Sequence, residues 1–305
     1  MVEILHVLQH RACFAEMIVI PSPLIRAGTW PGLSRCALSQ CRRFATANSV
    51  AEGNQPDDTP NLSSRWLSDV KARVGRCITF GMSSQQVDEA AMVLQEVSTD
   101  WRALVAGSEG YLTSKERAGL YKQAVVWGEQ DSMGHVNNVM YVRYAESARC
   151  NWTRNFGKYF DPTHKKEWTE LLSSKNIGLI LKSITVDFKF PMTWPDRISV
   201  YHKLRSNPDK SSSSLVLDVT ILSESRQRVA ARCLEDVVVY DYKQGKKTTL
   251  APFMLEQFRK TFELQEKARK ENSAKVNSIL DRVRVLEQQT WDRADAKEDF
   301  GSASC

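Results

Sequence analysis

Apolar positions recur along the chain in two rhythms, and the change between them divides it. From Ser64 to about Arg76, Trp66, Leu67, Val70 and Val74 fall on one side of a helix. Ser83 and Gln86 then stand at capping-box spacing, at which a hydroxyl and a side-chain amide satisfy two free backbone N–H groups. Behind them Val87, Ala90, Ala91, Leu94, Val97, Trp101 and Leu104 recur at helical spacing, with Gly107 and Gly110 as stops. This predicted helix pair has an apolar face and no visible chemistry. Its expected role is to pack onto the main domain or a partner.

From Leu120 the rhythm becomes an alternation. Leu120–Gly128 reads as a strand, and a helix is predicted from Asn137 to Phe156. Four strands follow at Ile177–Phe190, Ile198–Ser206, Ser213–Ser223 and Arg228–Tyr242. Within them apolar residues alternate with polar ones, as in Ile184, Val186, Phe188 and Phe190. Ser206–Ser214 and Glu224–Arg226 read as hairpin connections. One strand, one long helix and four antiparallel strands give an α+β class. Ala251–Gln289 is a helical tail, expected to loosen near Lys270–Ser273. Leu255, Phe258 and Phe262 share its early face, and Val276, Ile279, Val283 and Leu286 its late one. Those repeats are too short for a sustained coiled coil.

Composition changes the picture mainly at the N-terminus. Residues 1–51 hold five arginines, no lysine and only Glu3 and Glu16, a net +3 that is half of the whole chain's +6. Arg-rich, acid-poor, Ser-containing starts are transit-peptide compositions. The step Arg42-Arg43-Phe44-Ala45 resembles a matrix-protease cleavage site, so the expectation is a mitochondrial matrix protein with a mature start near residues 45–52. The remaining +3 is not the balance of a dedicated nucleic-acid binder. No run approaches the roughly 18 apolar residues of a membrane span. Seven cysteines, an odd number with no C-x-x-C pair, support neither a disulfide framework nor a zinc site. The expected division is therefore 1–51 transit peptide, 52–117 linker and helical extension, 118–250 main domain and 251–305 helical tail.

Candidate chemistry gathers in Glu129-Gln-Asp131-Ser-Met-Gly134-His135-Val-Asn137-Asn138-Val-Met-Tyr141. A strand ends, a carboxylate follows, then a glycine, then a helix start with Asn137 as its cap. Free N–H groups and the helix dipole favour negative charge there. An oxyanion would be stabilised at that point, with Asp131 as base or nucleophile beside it.

The run Asp131-x-x-Gly134-His135-Val136-Asn137-Asn138-x-x-Tyr141, with Ala145-Glu146-Ser147-Ala148-Arg149 on the helix behind it, resembles the 4-hydroxybenzoyl-CoA thioesterase-like branch of the hotdog superfamily. Plant acyl-ACP thioesterases carry a similar stretch, with Asn where this chain has Met133. Phe190-Pro191-x-x-x-x-Asp196-Arg197-Ile198 resembles the family's turn into its third strand. The likeness covers roughly residues 118–265.

The resemblance implies a hotdog fold, an antiparallel sheet wrapped around the helix 137–156. It implies homodimers or dimers of dimers with the site at the interface. It also implies an acyl-CoA or acyl-ACP substrate and no cofactor beyond the coenzyme A of that substrate. Asp131 takes the catalytic position in it and His135 a second site position. Gly134, Asn137 and Asn138 surround the thioester carbonyl. Glu146, three residues before Arg149, reads as an intrahelical ion pair. Cys150 reads as a small apolar residue on a buried helix side, and Tyr141 and Tyr144 as core or pocket lining. Arg197, Lys203, Arg205 and Lys210 are candidates for the coenzyme A phosphates, though charges at strand ends are ordinarily solvated. A catalytically silent hotdog subunit, structural or RNA-associated, of a mitochondrial protein or ribonucleoprotein assembly is the competing expectation, motivated by the added N-terminal helices and the charged C-terminal tail. A hotdog hydratase is a weaker rival, because no hydratase motif stands in the chain.

Overall fold

The structure, a computed structural model, describes residues 62–63 and 65–299. The transit-peptide stretch and its cleavage site lie outside the described residues, as do residues 52–61 at the start of the expected linker and extension.

Helix α1 (Trp66–Thr79) and helix α2 (Ser84–Thr99) open the described chain. Ser83 caps α2 with the expected capping box: its hydroxyl accepts from Gln86 N, and Gln86 Oε1 accepts from Ser83 N at 2.8 Å. The long second helix anticipated to Leu104 instead breaks at Asp100, leaving a short α3 (Trp101–Val105). Gly110, at φ 92°, ends the turn that follows.

Strand β1 (Ala118–Ala124) comes next, then the long helix α4 (Asn138–Asn155) and a short α5 (Lys165–Glu170). Strands β2 (Ile177–Phe188), β3 (Arg197–Leu204), β4 (Ser214–Ser223) and β5 (Arg228–Asp241) follow, with a two-residue β6 (Lys246–Lys247). All pairings are antiparallel, in the order β1-β3-β4-β5-β2, with β6 on β5. The first strand stops sooner than its alternation suggested. Glu129 folds back to accept from Val126 N at 2.8 Å, which closes a turn over Trp127–Glu129.

Alternation sends neighbouring strand residues to opposite faces of the sheet. Val200 and Ile221 pack with Tyr141, Ala145 and Ala148 of α4. Tyr201 and Leu222 pack on the other face with Leu67, Val74, Val93, Val97 and Leu104 of the N-terminal helices. The sheet thus wraps α4 on one side, which is the hotdog arrangement, and the helical extension covers the opposite side. Gly119 permits the close approach of α4, because a Cβ there would stand 2.3 Å from Ala148 O. Asn151 and Asn155 of α4 donate to Gly119 O and Ala118 O, each at 3.0 Å.

The tail is one unbroken helix, α6 (Pro252–Gln289), contrary to the loosening expected at Lys270–Ser273. The polar residues there are satisfied without breaking it. Asn272 Nδ2 donates to Ala268 O at 2.8 Å, and Ser273 Oγ donates to Ser108 O at 3.1 Å. Its early half buries Phe258, which stacks on Trp152 of α4 at 5.8 Å. Its late half buries Val276, Ile279, Val283 and Leu286 against the N-terminal helices. No described helix is long and apolar enough to cross a membrane.

Candidate active site

The segment between β1 and α4 is held from both ends. Val125 N donates to Asp196 O at 3.0 Å, and Val136 N donates to Met192 O at 2.8 Å. Met192 N in turn donates to Tyr141 Oη at 3.2 Å. Glu129 is the inner clamp. Its carboxylate accepts from Tyr144 Oη at 2.7 Å as well as from Val126 N, and its carbonyl accepts from Asn137 N at 2.9 Å. Burial, and next the bond to Glu129, push the Tyr144 phenol well above its ordinary range, so the hydroxyl stays a donor. Neither Glu129 nor Met192 stood out in the sequence as a site residue. Glu129 lies inside the motif, but an acid in a loop gives no hint of a tyrosine on the next helix.

Within that frame Asp131 forms a tight turn. Its Oδ1 accepts from Met133 N at 2.8 Å and from His135 N at 3.3 Å, and its N donates to His135 O at 2.8 Å. Gly134 N donates to Asp131 O at 3.1 Å. Gly134 adopts φ 73°, a conformation glycine enters without steric cost. One carboxylate oxygen is therefore occupied by the loop. The other, Oδ2, has no protein partner among the described residues.

Asn137 is the N-cap of α4, its Oδ1 accepting from Val139 N at 3.0 Å. This use narrows the expected oxyanion site. The backbone N–H groups of Gly134, His135, Val136 and Asn137 are all engaged within the protein. Asn138 N, the first of the helix, carries no hydrogen bond among the described residues. The side chains of Asn137 and Asn138 are exposed, and the His135 imidazole is half-buried with no hydrogen-bond partner among the described residues. Asp131, His135 and Asn138 are thus brought to one loop and helix start, whereas Gly134 serves the turn.

Large apolar side chains stand exposed around this point. Trp127 is 72 % and Met133 76 % accessible, and Val126, Val139 and Phe188 are exposed as well. Phe188 meets Tyr141 edge-on at 5.1 Å. Tyr141 and Tyr144 are buried, as expected of core or pocket lining.

Other expectations change. Arg149 does not pair with Glu146. It crosses from α4 to β5 and donates to Glu235 at 2.5 Å, and Glu235 is fully buried. His202, also fully buried, lies 3.5 Å from the other Glu235 oxygen and stacks on Trp152. Cys150 is half-buried, its thiol pushed up by burial. Asp196, in the second motif, accepts from Arg197 N, Ser225 N and Ser223 Oγ, so that motif ties β3 to the β4–β5 hairpin. Lys203 is not a solvated strand-end charge. It reaches Glu109 O at 2.8 Å beneath the helical extension.

Residues 125–258, less than half of the chain, match the model of the thioesterase-like superfamily. No curated protein matches the chain. Among solved structures, it is similar to a thioesterase complexed with coenzyme A and zinc from Thermus thermophilus, at 22 % identity. That likeness covers 46 % of this chain and 90 % of that one, with a TM-score of 0.35. A DHNA-CoA thioesterase from Staphylococcus aureus is 15 % identical over 48 % of this chain and 90 % of that one, with a TM-score of 0.36. The BH1999 gentisyl-coenzyme A thioesterase is 21 % identical over 47 % of this chain and 98 % of that one, with a TM-score of 0.35.

Proposed function

We propose that this protein hydrolyses acyl-CoA thioesters, fatty or aromatic, to the free acid and coenzyme A. One observation carries the reading. Asp131 is fixed through Oδ1 by two loop N–H groups, which leaves Oδ2 unengaged, and the N–H of Asn138 at the start of α4, seven residues on, is likewise unengaged among the described residues. The match of residues 125–258 to the thioesterase-like superfamily supports it.

In this reading Asp131 Oδ2 attacks the thioester carbonyl, or takes a proton from a water that does so. The carbonyl oxygen gains the electron pair and rests against Asn138 N–H and the dipole of α4. When the pair returns, the C–S bond breaks, and the coenzyme A thiolate leaves with its electrons and takes up a proton from solvent. If Asp131 has attacked directly, water then cleaves the acyl anhydride and restores the carboxylate. His135, four residues on in the same loop, orients the thioester or the water. No metal or redox step is required by this chemistry.

We further propose a homodimer, the second copy covering the apolar collar of Trp127, Met133 and Val139. An exposed apolar rim of this kind, next to polar groups, marks an interaction surface. Sedimentation at twice the chain mass is the expected result, and a monomer at micromolar concentration would remove this part of the proposal.

The deciding experiment is free-thiol release from a panel of acyl-CoA esters, short, long and aromatic, with Asp131→Asn alongside. The amide keeps the shape and the Oδ1 acceptor but loses basicity and nucleophilicity. Turnover is expected in the wild type and should fall at least about 100-fold in the variant, with unchanged thermal unfolding. Turnover that survives the substitution removes Asp131 from the reaction. Absence of turnover on every ester overturns the hydrolase reading itself.

A further inference from the structure

The face of the sheet turned away from α4 carries a cleft of about 860 Å³. Its walls come partly from residues 62–63, 65–68, 105–109 and 269–276, which lie outside the stretch that matches the thioesterase-like model. The lining is strongly cationic. Arg65, Lys189, Lys203, Arg228, Arg232 and Arg269 face it, against one carboxylate among the described residues, that of Glu109.

Four of these cations are answered within the protein. Glu109 takes Arg232 through two bonds, of 2.5 and 2.6 Å. Lys203 donates to Glu109 O, Lys189 pairs with Asp187, and Arg269 pairs with Glu266 at 2.9 Å. Arg65 and Arg228 have no carboxylate partner among the described residues. Arg228 lies over the Phe190 ring at 4.2 Å, and its Nε is buried with no hydrogen bond. Burial, and then the neighbouring charges of Arg65 and Arg226, hold its guanidinium below the usual range. Like charges gathered under desolvation are costly until an anion arrives between them. Planar guanidinium forks fit phosphate oxygens in pairs. Trp66, Val105 and Val276 add an apolar wall, and the volume lies within the range of small-ligand pockets, roughly 300–1,000 Å³.

We infer that this cleft binds a phosphorylated small molecule of nucleotide size, a diphosphate carried on an aromatic or apolar body, with Arg65 and Arg228 as its phosphate ligands. Two sources would present that chemistry: a free nucleotide, or the nucleotide end of a coenzyme A ester. The binding itself does not rest on the hydrolase reading, and its failure would leave that reading untouched.

Isothermal titration of the full chain with ADP, pyrophosphate, adenosine and coenzyme A tests the inference. ADP is expected to bind saturably and more weakly as salt rises, and adenosine not to bind. The double variant Arg65→Gln/Arg228→Gln should weaken ADP at least about tenfold, while Lys182→Gln on the distant β2 edge changes nothing. Should the double variant unfold, Arg65→Gln alone, at an exposed position, must still weaken binding. Tight binding of coenzyme A, with KM for acyl-CoA raised and kcat unchanged in the variant, identifies the substrate's own nucleotide end as the ligand. An unmoved KM with lost ADP binding identifies a separate effector. No binding of any phosphate in low salt overturns the inference, as does ADP binding undiminished in the variants. Binding of a short single-stranded RNA without any binding of small phosphates overturns it too.

Discussion

Arg149 shows how a single residue can be legible in kind and misread in partner. Its three-residue spacing from Glu146 suits a surface pair on one helix. The folded chain instead offers a carboxylate directly beneath α4, on β5, and a buried carboxylate without a cation is far costlier than an exposed one. Arg149 therefore turns inward to Glu235, and Glu146 stays exposed. The pair joins α4 to the sheet at one of the few charged points of that interface. Glu235→Ala strands the guanidinium and should destabilise the protein by about 3 kcal/mol in urea denaturation. Glu146→Ala should stay within about 0.5 kcal/mol of the wild type, as surface changes do. The double variant Arg149→Met/Glu235→Leu should regain most of the loss, since an apolar pair of similar volume needs no desolvation of charge. Equal losses at 146 and 235 would show that the crossing pair does not hold the helix.

At the scale of elements, what was readable and what was not separates by the range of the interaction responsible. The capping box at Ser83, the cap at Asn137 and the run Val276, Ile279, Val283 and Leu286 are local signals, and the structure keeps each of them. The boundaries of β2 to β5 fall within two residues of the alternation that predicts them. The misses depend on distant partners. Strand β1 ends early because Glu129 turns back and is held by Tyr144, fifteen residues on. Helix α6 stays whole through Lys270–Ser273 because Ser108 accepts from Ser273, 165 residues away. The candidate site divides in the same way. The motif gathers Asp131, His135 and Asn138 at one helix start, but the engagement of the Gly134–Asn137 N–H groups becomes visible only once Met192 and Glu129 are in place. The cationic cleft had one trace in the sequence, Lys203. Its other walls come from separate stretches, around residues 65–68, 105–109, 189, 227–232 and 269–276, that no spacing rule connects.

For the whole molecule, the question is what fastens the helical extension to the rest of the unit. Its apolar face packs on the sheet and on α6, and one of its charged fastenings runs between the first and last helices. Arg73 of α1 holds Glu287 of α6 through two bonds of 2.7 Å, with Arg284 adding a third at 3.4 Å. Glu287 is buried, and the bond from Arg73, more than any other influence, holds its carboxyl below the usual value of 4.5. The sign of the resulting pH dependence follows from linkage. A carboxylate with a lower pKa folded than unfolded stabilises the fold fully above the unfolded value. That contribution disappears as pH falls through the folded value. Thermal unfolding of the wild type and of Glu287→Gln should therefore differ by a constant margin from neutral pH down to about 4.5. Below that the margin should close, because a protonated Glu287 and a glutamine then offer Arg73 nearly the same neutral acceptor. A margin that persists undiminished at about pH 3 would mean that Glu287 contributes through shape and packing rather than charge. The attachment of α1 to α6 would then rest on Val74, Val276, Ile279 and Val283. The walls of the cleft depend on the same attachment, so acid that loosens it should weaken ADP before the sheet and α4 unfold.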